Sequence, residues 1–68
     1  MIISVNGELR DLPAPVRLSD VLDLPPGTAT PRGIAVAVDG AVVPRSAHPT
    51  TELTAGARVE IVTAVQGG

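Results

Sequence analysis

Residues 34–44 read IAVAVDGAVVP. Two β-branched runs meet there at Asp39-Gly40, and Asp-Gly between such runs is a strong hairpin signal. Both central residues of a type I′ turn need positive φ, which Asp tolerates and Gly adopts freely. Pro44 cannot donate to a ladder, so the returning arm, Ala41-Val42-Val43, is assigned to a sheet edge. The N-terminal residues repeat the pattern. Ile2-Ile3-Ser4-Val5 leads into Asn6-Gly7 and returns as Glu8-Leu9-Arg10-Asp11-Leu12, with Pro13 and Pro15 just beyond. That makes two hairpins, each with proline on its outer arm.

The prolines at 13, 15, 25, 26, 31, 44 and 49 leave clean windows at 1–12, 32–43 and 50–68. Interior strands belong inside those windows. The third window supplies a last strand, Arg58-Val59-Glu60-Ile61-Val62-Thr63, reached by a turn at Gly56. Between the hairpins, Leu18, Val21 and Leu22 fall at i, i+3 and i+4 and predict a short helix of about two turns. Ser19 is its expected N-cap, Asp20 suits the first turn, and Pro25-Pro26 are expected to stop it. Residues 25–32 read as a loop, and 46–51 as an irregular crossing with at most one 3₁₀ turn.

Hairpin, helix, hairpin, crossing and strand, in that order, describe an α+β domain of the β-grasp, or ubiquitin-like, kind. A mixed five-stranded sheet carries one short helix on one face, and its first and last strands pair in parallel at the centre. Alternation turns Ile3, Val5, Ile34 or its neighbours, Val36, Val38, Val59 and Ile61 toward the helix. The opposite face then carries Ala35, Ala37, Val62, Glu60 and one of Val42 or Val43, with Val43 taken as its member. This small apolar face is a candidate surface for partner docking.

Composition narrows the function. The chain has 68 residues, enough for one small domain, with no Cys to cross-link it and a single His. A lone His assembles no metal site, so aliphatic packing must stabilise the fold. The absence of aromatic residues and a net charge of −2 leave neither a stacking platform nor a basic patch for nucleic acid. No apolar run approaches the ~20 residues of a membrane span, and a cytoplasmic protein is expected. No nucleophile–base pair, metal cluster or phosphate loop is present, so the chain is not expected to be an enzyme by itself. All five basic residues are Arg, so no side chain can receive an isopeptide link.

Residues 63–68 read TAVQGG. The folded domain is expected over 1–64, with 65–68 a flexible projecting tail. Two residues without Cβ make the thinnest backbone available, able to thread a narrow channel in another protein. They also leave a terminal carboxylate unhindered. Once adenylated by a partner, such a carboxylate becomes an acyl donor to sulfur or nitrogen. The expected reactive group is thus the terminal carbonyl of Gly68, with Gly67 and Gln66 threading into the partner.

The stretches VNGE (5–8), IAVAVDGAVVPR (34–45) and LTAGARVEIVTAV (53–65), together with the closing GG, resemble the ThiS family, the sulfur carriers of thiamine biosynthesis. The resemblance covers essentially the whole chain and is strongest from Gly33 onward. It implies that a ThiF-like adenylyltransferase uses ATP to activate Gly68, with no cofactor bound by the carrier. A persulfide derived from a cysteine desulfurase then yields the thiocarboxylate, and thiazole synthase (ThiG) takes up the sulfur. The chain departs from the family at His48, where an aromatic residue is common, and at Ala57, where an acidic one follows the turn glycine. Arg45 and His48 are read as a solvated edge residue and a structural or solvent-facing one. The alternatives are a carrier for molybdopterin or cysteine synthesis, and a conjugated tag or plain β-grasp binding module.

Overall fold

Both Asx-Gly pairs turn the chain as expected. Asn6 and Asp39 each sit at φ 50°, followed by Gly7 at 82° and Gly40 at 85°. These are the successive positive angles that a type I′ turn requires. The computed structural model describes residues 1–25 and 28–63. Its strands are β1 (Ile2–Val5), β2 (Glu8–Asp11), β3 (Ile34–Val38), β4 (Ala41–Val43) and β5 (Arg58–Thr63). They form one sheet in the order β2-β1-β5-β3-β4. The proline-flanked arms β2 and β4 lie at the edges. The last strand enters the centre, parallel to β1 and antiparallel to β3.

Helix α1 spans Leu18–Val21, a single turn rather than the two expected. Ser19 does not cap it, because Ser19 is buried inside the turn. The cap residue is Arg17, whose N–H donates to the Asp20 carboxylate at 2.8 Å. Nor does Pro25-Pro26 end the helix, although Pro26 itself lies outside the described residues. Asp23 adopts φ 56°, its N–H donates to Asp20 O at 3.2 Å, and the Leu24 N–H donates to Ser19 O at 3.0 Å. This left-handed closure satisfies the last carbonyls before the prolines are reached.

The core lies between α1 and one face of the sheet. Ile3, Val5, Val36 and Val59 are buried there beneath Leu18 and Val21, while Leu22, Ile34, Val38 and Ile61 pack at the margin. Burying an aliphatic side chain of this size contributes about 1.5–3 kcal/mol. Val16, Leu53 and Ala57 also join the core. They come from segments without strand or helix periodicity, so alternation did not mark them. Backbone pairing explains two of them. Leu53 N–H donates to Val16 O at 2.8 Å, and Leu18 N–H donates to Thr51 O at 2.9 Å. The crossing is thereby tied to the approach to α1, with Val16 and Leu53 turned inward. Its 3₁₀ turn falls at Arg45–Ala47, close to where one was expected. Among the described residues no helix is long and apolar enough to cross a membrane.

Candidate functional site

The helix covers one face of the sheet and leaves the other open. Strand register fixes which residues occupy that open face. Val62 of β5 stands opposite Ala35 of β3, and Ala37 stands between Glu60 and Val42. Val62 is 62% exposed and Val42 76%. Val43 does not belong to this group. It pairs with the buried Val36 and packs against the core, so it faces the helix, and Val42 takes the outer position. In a three-residue strand a register choice of one residue reverses the face, and composition cannot distinguish two adjacent valines.

Two further apolar residues share the open face. Ile2 alternates with the buried Ile3, and Leu9 stands opposite Ser4 in the first hairpin. Strict alternation about Ile3 and Val5 was the signal that could have marked them. All four exposed large hydrophobic residues among those described thus lie on the side away from the helix. Arg58 and Glu60 also face outward along β5, between the two apolar groups. Val62, Ala35, Ala37 and Val42 form the group nearer the end of β5.

That end of β5 leads to the C-terminal residues. Thr63 closes β5 opposite Ile34. Gln66, Gly67 and Gly68, and the expected boundary at 64/65, lie outside the described residues. The strand that leads to them is held by turn side chains at its start and again at Ile61. At its start, the Arg58 N–H donates to Asp39 Oδ1 at 2.9 Å, and the Asp39 N–H donates to Arg58 O at 2.8 Å. Further along, the Ile61 N–H donates to Asn6 Oδ1 at 2.7 Å, and Asn6 Nδ2 donates to Ile61 O at 3.3 Å.

His48 occupies a different place. It is buried, with Nε2 3.0 Å from Val43 O and Nδ1 2.6 Å from Thr30 Oγ1. A carbonyl only accepts, so Nε2 carries the proton, and Nδ1 accepts from the Thr30 hydroxyl. Both ring nitrogens are occupied inside the protein, which makes His48 structural. The sequence alone allows either a structural or a solvent-facing position for it. Arg45 is exposed at the start of the 3₁₀ turn. Ala57 is buried.

Among the described residues no group of three or more His, Cys, Asp or Glu is placed to hold a metal. A depression before α1 is lined by Leu12, Pro13, Pro15, Val16 and Asp20. Its one carboxylate already accepts the Arg17 N–H, so no convergent polar set is aimed into it.

The family model described as the ThiS family matches residues 3–68. A search of curated proteins finds no match. Among solved structures, the chain is similar to the crystal structure of a thiamine biosynthesis protein (ThiS) from Geobacter metallireducens. The identity is 24%, the TM-score is 0.75, and the alignment covers 100% of each chain. At that identity the likeness is one of fold. The family match spans nearly the whole chain, and on that ground the chain belongs to the ThiS family.

Proposed function

We propose that this chain is a sulfur carrier whose working atom is the carbonyl carbon of Gly68, loaded and unloaded by partner enzymes. Membership of the ThiS family supports a sulfur carrier acting in thiamine biosynthesis. The observation that carries the finer reading is the position of β5. The strand at the middle of the sheet is the one that leads into the Gly-Gly end, with an apolar group beside its exit. In sequence, residues 64–66 connect that strand to the Gly-Gly end.

In the chemistry this implies, a carboxylate oxygen of Gly68 attacks the α-phosphorus of ATP on a ThiF-like enzyme. Pyrophosphate leaves, and an acyl adenylate remains. The terminal sulfur of a cysteine persulfide, supplied through a cysteine desulfurase, then attacks the carbonyl carbon and expels AMP. A thiol cleaves the resulting acyl disulfide by exchange, leaving a thiocarboxylate on Gly68 and a disulfide on the partner side. Thiazole synthase is the acceptor. The carrier supplies no acid, base or metal to these steps. It supplies an unhindered acyl group and a surface by which the enzymes hold it.

Intact-mass spectrometry after incubation with the adenylating enzyme, ATP and a persulfide donor tests this. The expected product is the chain with one oxygen exchanged for sulfur. An unchanged mass, or adducts formed only on other proteins, overturns the reading.

The docking surface has its own expected result. Val62→Asp places a charge in the centre of the apolar group near the tail. A central, desolvated interface residue is worth about 2 kcal/mol or more. The KM of the adenylating enzyme for the carrier should therefore rise by at least ~10-fold. Because Val62 is exposed, the thermal midpoint should barely move. Steady-state kinetics and a melting curve on the same sample decide it.

A further inference from the structure

We infer that Asn6 is a positioning residue for the C-terminal tail, acting through β5; the inference rests on the sulfur-carrier reading above. Asn6 belongs to a hairpin turn, and the turn alone accounts for its positive φ and for Gly7 after it. It does not account for the direction of the side chain. Both polar atoms of the carboxamide are bonded to one residue of another strand, Ile61, which is 55 positions away in the chain.

The strand ladder shows what this bracket does. The parallel register of β1 and β5 ends at Val5 opposite Val59, and the last backbone bond there runs from the Asn6 N–H to Val59 O at 2.9 Å. Beyond that point β1 has turned away into the hairpin. The final part of β5 is then flanked by backbone only on the β3 side, through Val36–Ile61, Ala35–Val62 and Ile34–Thr63. The Asn6 carboxamide carries one donor and one acceptor, as a peptide unit does. It adds one more rung where β1 no longer can. Ile61 is two residues before Thr63, and among the described residues this rung is the last tie on that side of β5.

Neither bond is buried, so their contribution to stability is modest. Their value is directional. A strand end held on one edge can swing about that edge, and a swing at Ile61 displaces Thr63, the last residue of β5 and the base from which the C-terminal residues start. Misplacing a reacting group by about 1 Å can cost on the order of 100-fold in rate. Asp39 provides a matched contrast. It occupies the equivalent turn position at the same φ and ties β5 by its side chain, but at Arg58, the end remote from the tail.

The test compares Asn6→Gly with Asp39→Gly. Glycine keeps the positive φ without strain, so each variant removes a side-chain tie and little else. Pyrophosphate release by the adenylating enzyme with ATP is measured as carrier concentration is varied. For Asn6→Gly, kcat should fall about 10- to 100-fold while KM stays within about twofold, because the docking face is untouched. For Asp39→Gly, both parameters should match wild type even if its melting point falls equally. Asn6→Asp should behave like Asn6→Gly. It keeps the acceptor for the Ile61 N–H but sets a second oxygen against the Ile61 carbonyl. Amide exchange at Ile61 should accelerate in Asn6→Gly and not in Asp39→Gly.

Wild-type kcat in Asn6→Gly overturns the inference alone. So does an equal kcat loss in both glycine variants, since general loosening would then be the cause. Wild-type protein that releases no pyrophosphate overturns the carrier reading first, and this inference with it.

Discussion

Removing Gly67 and Gly68 should abolish sulfur loading while leaving the thermal midpoint of the domain unchanged. The truncated chain ends on Gln66, so its carboxylate falls short of the original position by about 7 Å, at ~3.3–3.6 Å per extended residue. No adjustment of the folded body closes that gap, because β5 is fixed in the centre of the sheet by partners on both sides. The expected loss of thiocarboxylate formation is therefore complete within the sensitivity of mass spectrometry. A second variant separates reach from slenderness. Replacing Gly67 and Gly68 together by Ala restores length but adds two Cβ atoms and restricts φ. If the tail must thread a narrow channel, this variant should also fail, with KM rising as kcat falls. A truncated chain that still acquires sulfur would remove the basis of the proposed function.

His48→Ala should leave the protein largely unfolded at 25 °C. The imidazole is 1% exposed and links three segments, the loop at Thr30, the end of β4 at Val43 and the crossing that contains it. Deleting a fully buried ring costs about 3–5 kcal/mol. Each polar partner then left without a bond adds about 1–3 kcal/mol unless water enters the space. A domain of this size has only about 3–5 kcal/mol in total. Far-UV circular dichroism and denaturant titration would show the loss, and a midpoint near wild type would contradict the assignment of His48 to the core. His48→Phe keeps most of the volume but strands the Thr30 hydroxyl, so an intermediate loss is expected. Adding Thr30→Val should recover part of it, because removing both members of a buried polar pair is milder than removing one. That non-additivity would identify the contact itself as the cause.

Much of the fold was legible because its signals are local. Asn6-Gly7 and Asp39-Gly40 dictate their turns through backbone sterics. Pro13, Pro15 and Pro44 mark the edge arms through the missing N–H. Alternation sorted Ile3, Val5, Val36 and Val59 to the core. Resemblance then named the family that the match over residues 3–68 establishes. The candidate surface was legible in part. Ala35, Ala37 and Val62 face outward as expected, while Val43 had to yield to Val42, and Ile2 and Leu9 had gone unmarked.

Composition and short-range pattern, then, were enough to say that five strands and a helix exist and that the last strand feeds a glycine pair. Contacts between distant segments lay beyond them. Asn6 reaching Ile61, Thr30 and Val43 closing on His48, and Leu53 lying against Val16 each join irregular or turn residues, whose identities carry no periodicity to read. Such pairings are chosen by packing and by the need to satisfy buried or strand-end polar groups, and those requirements arise once the chain has closed on itself.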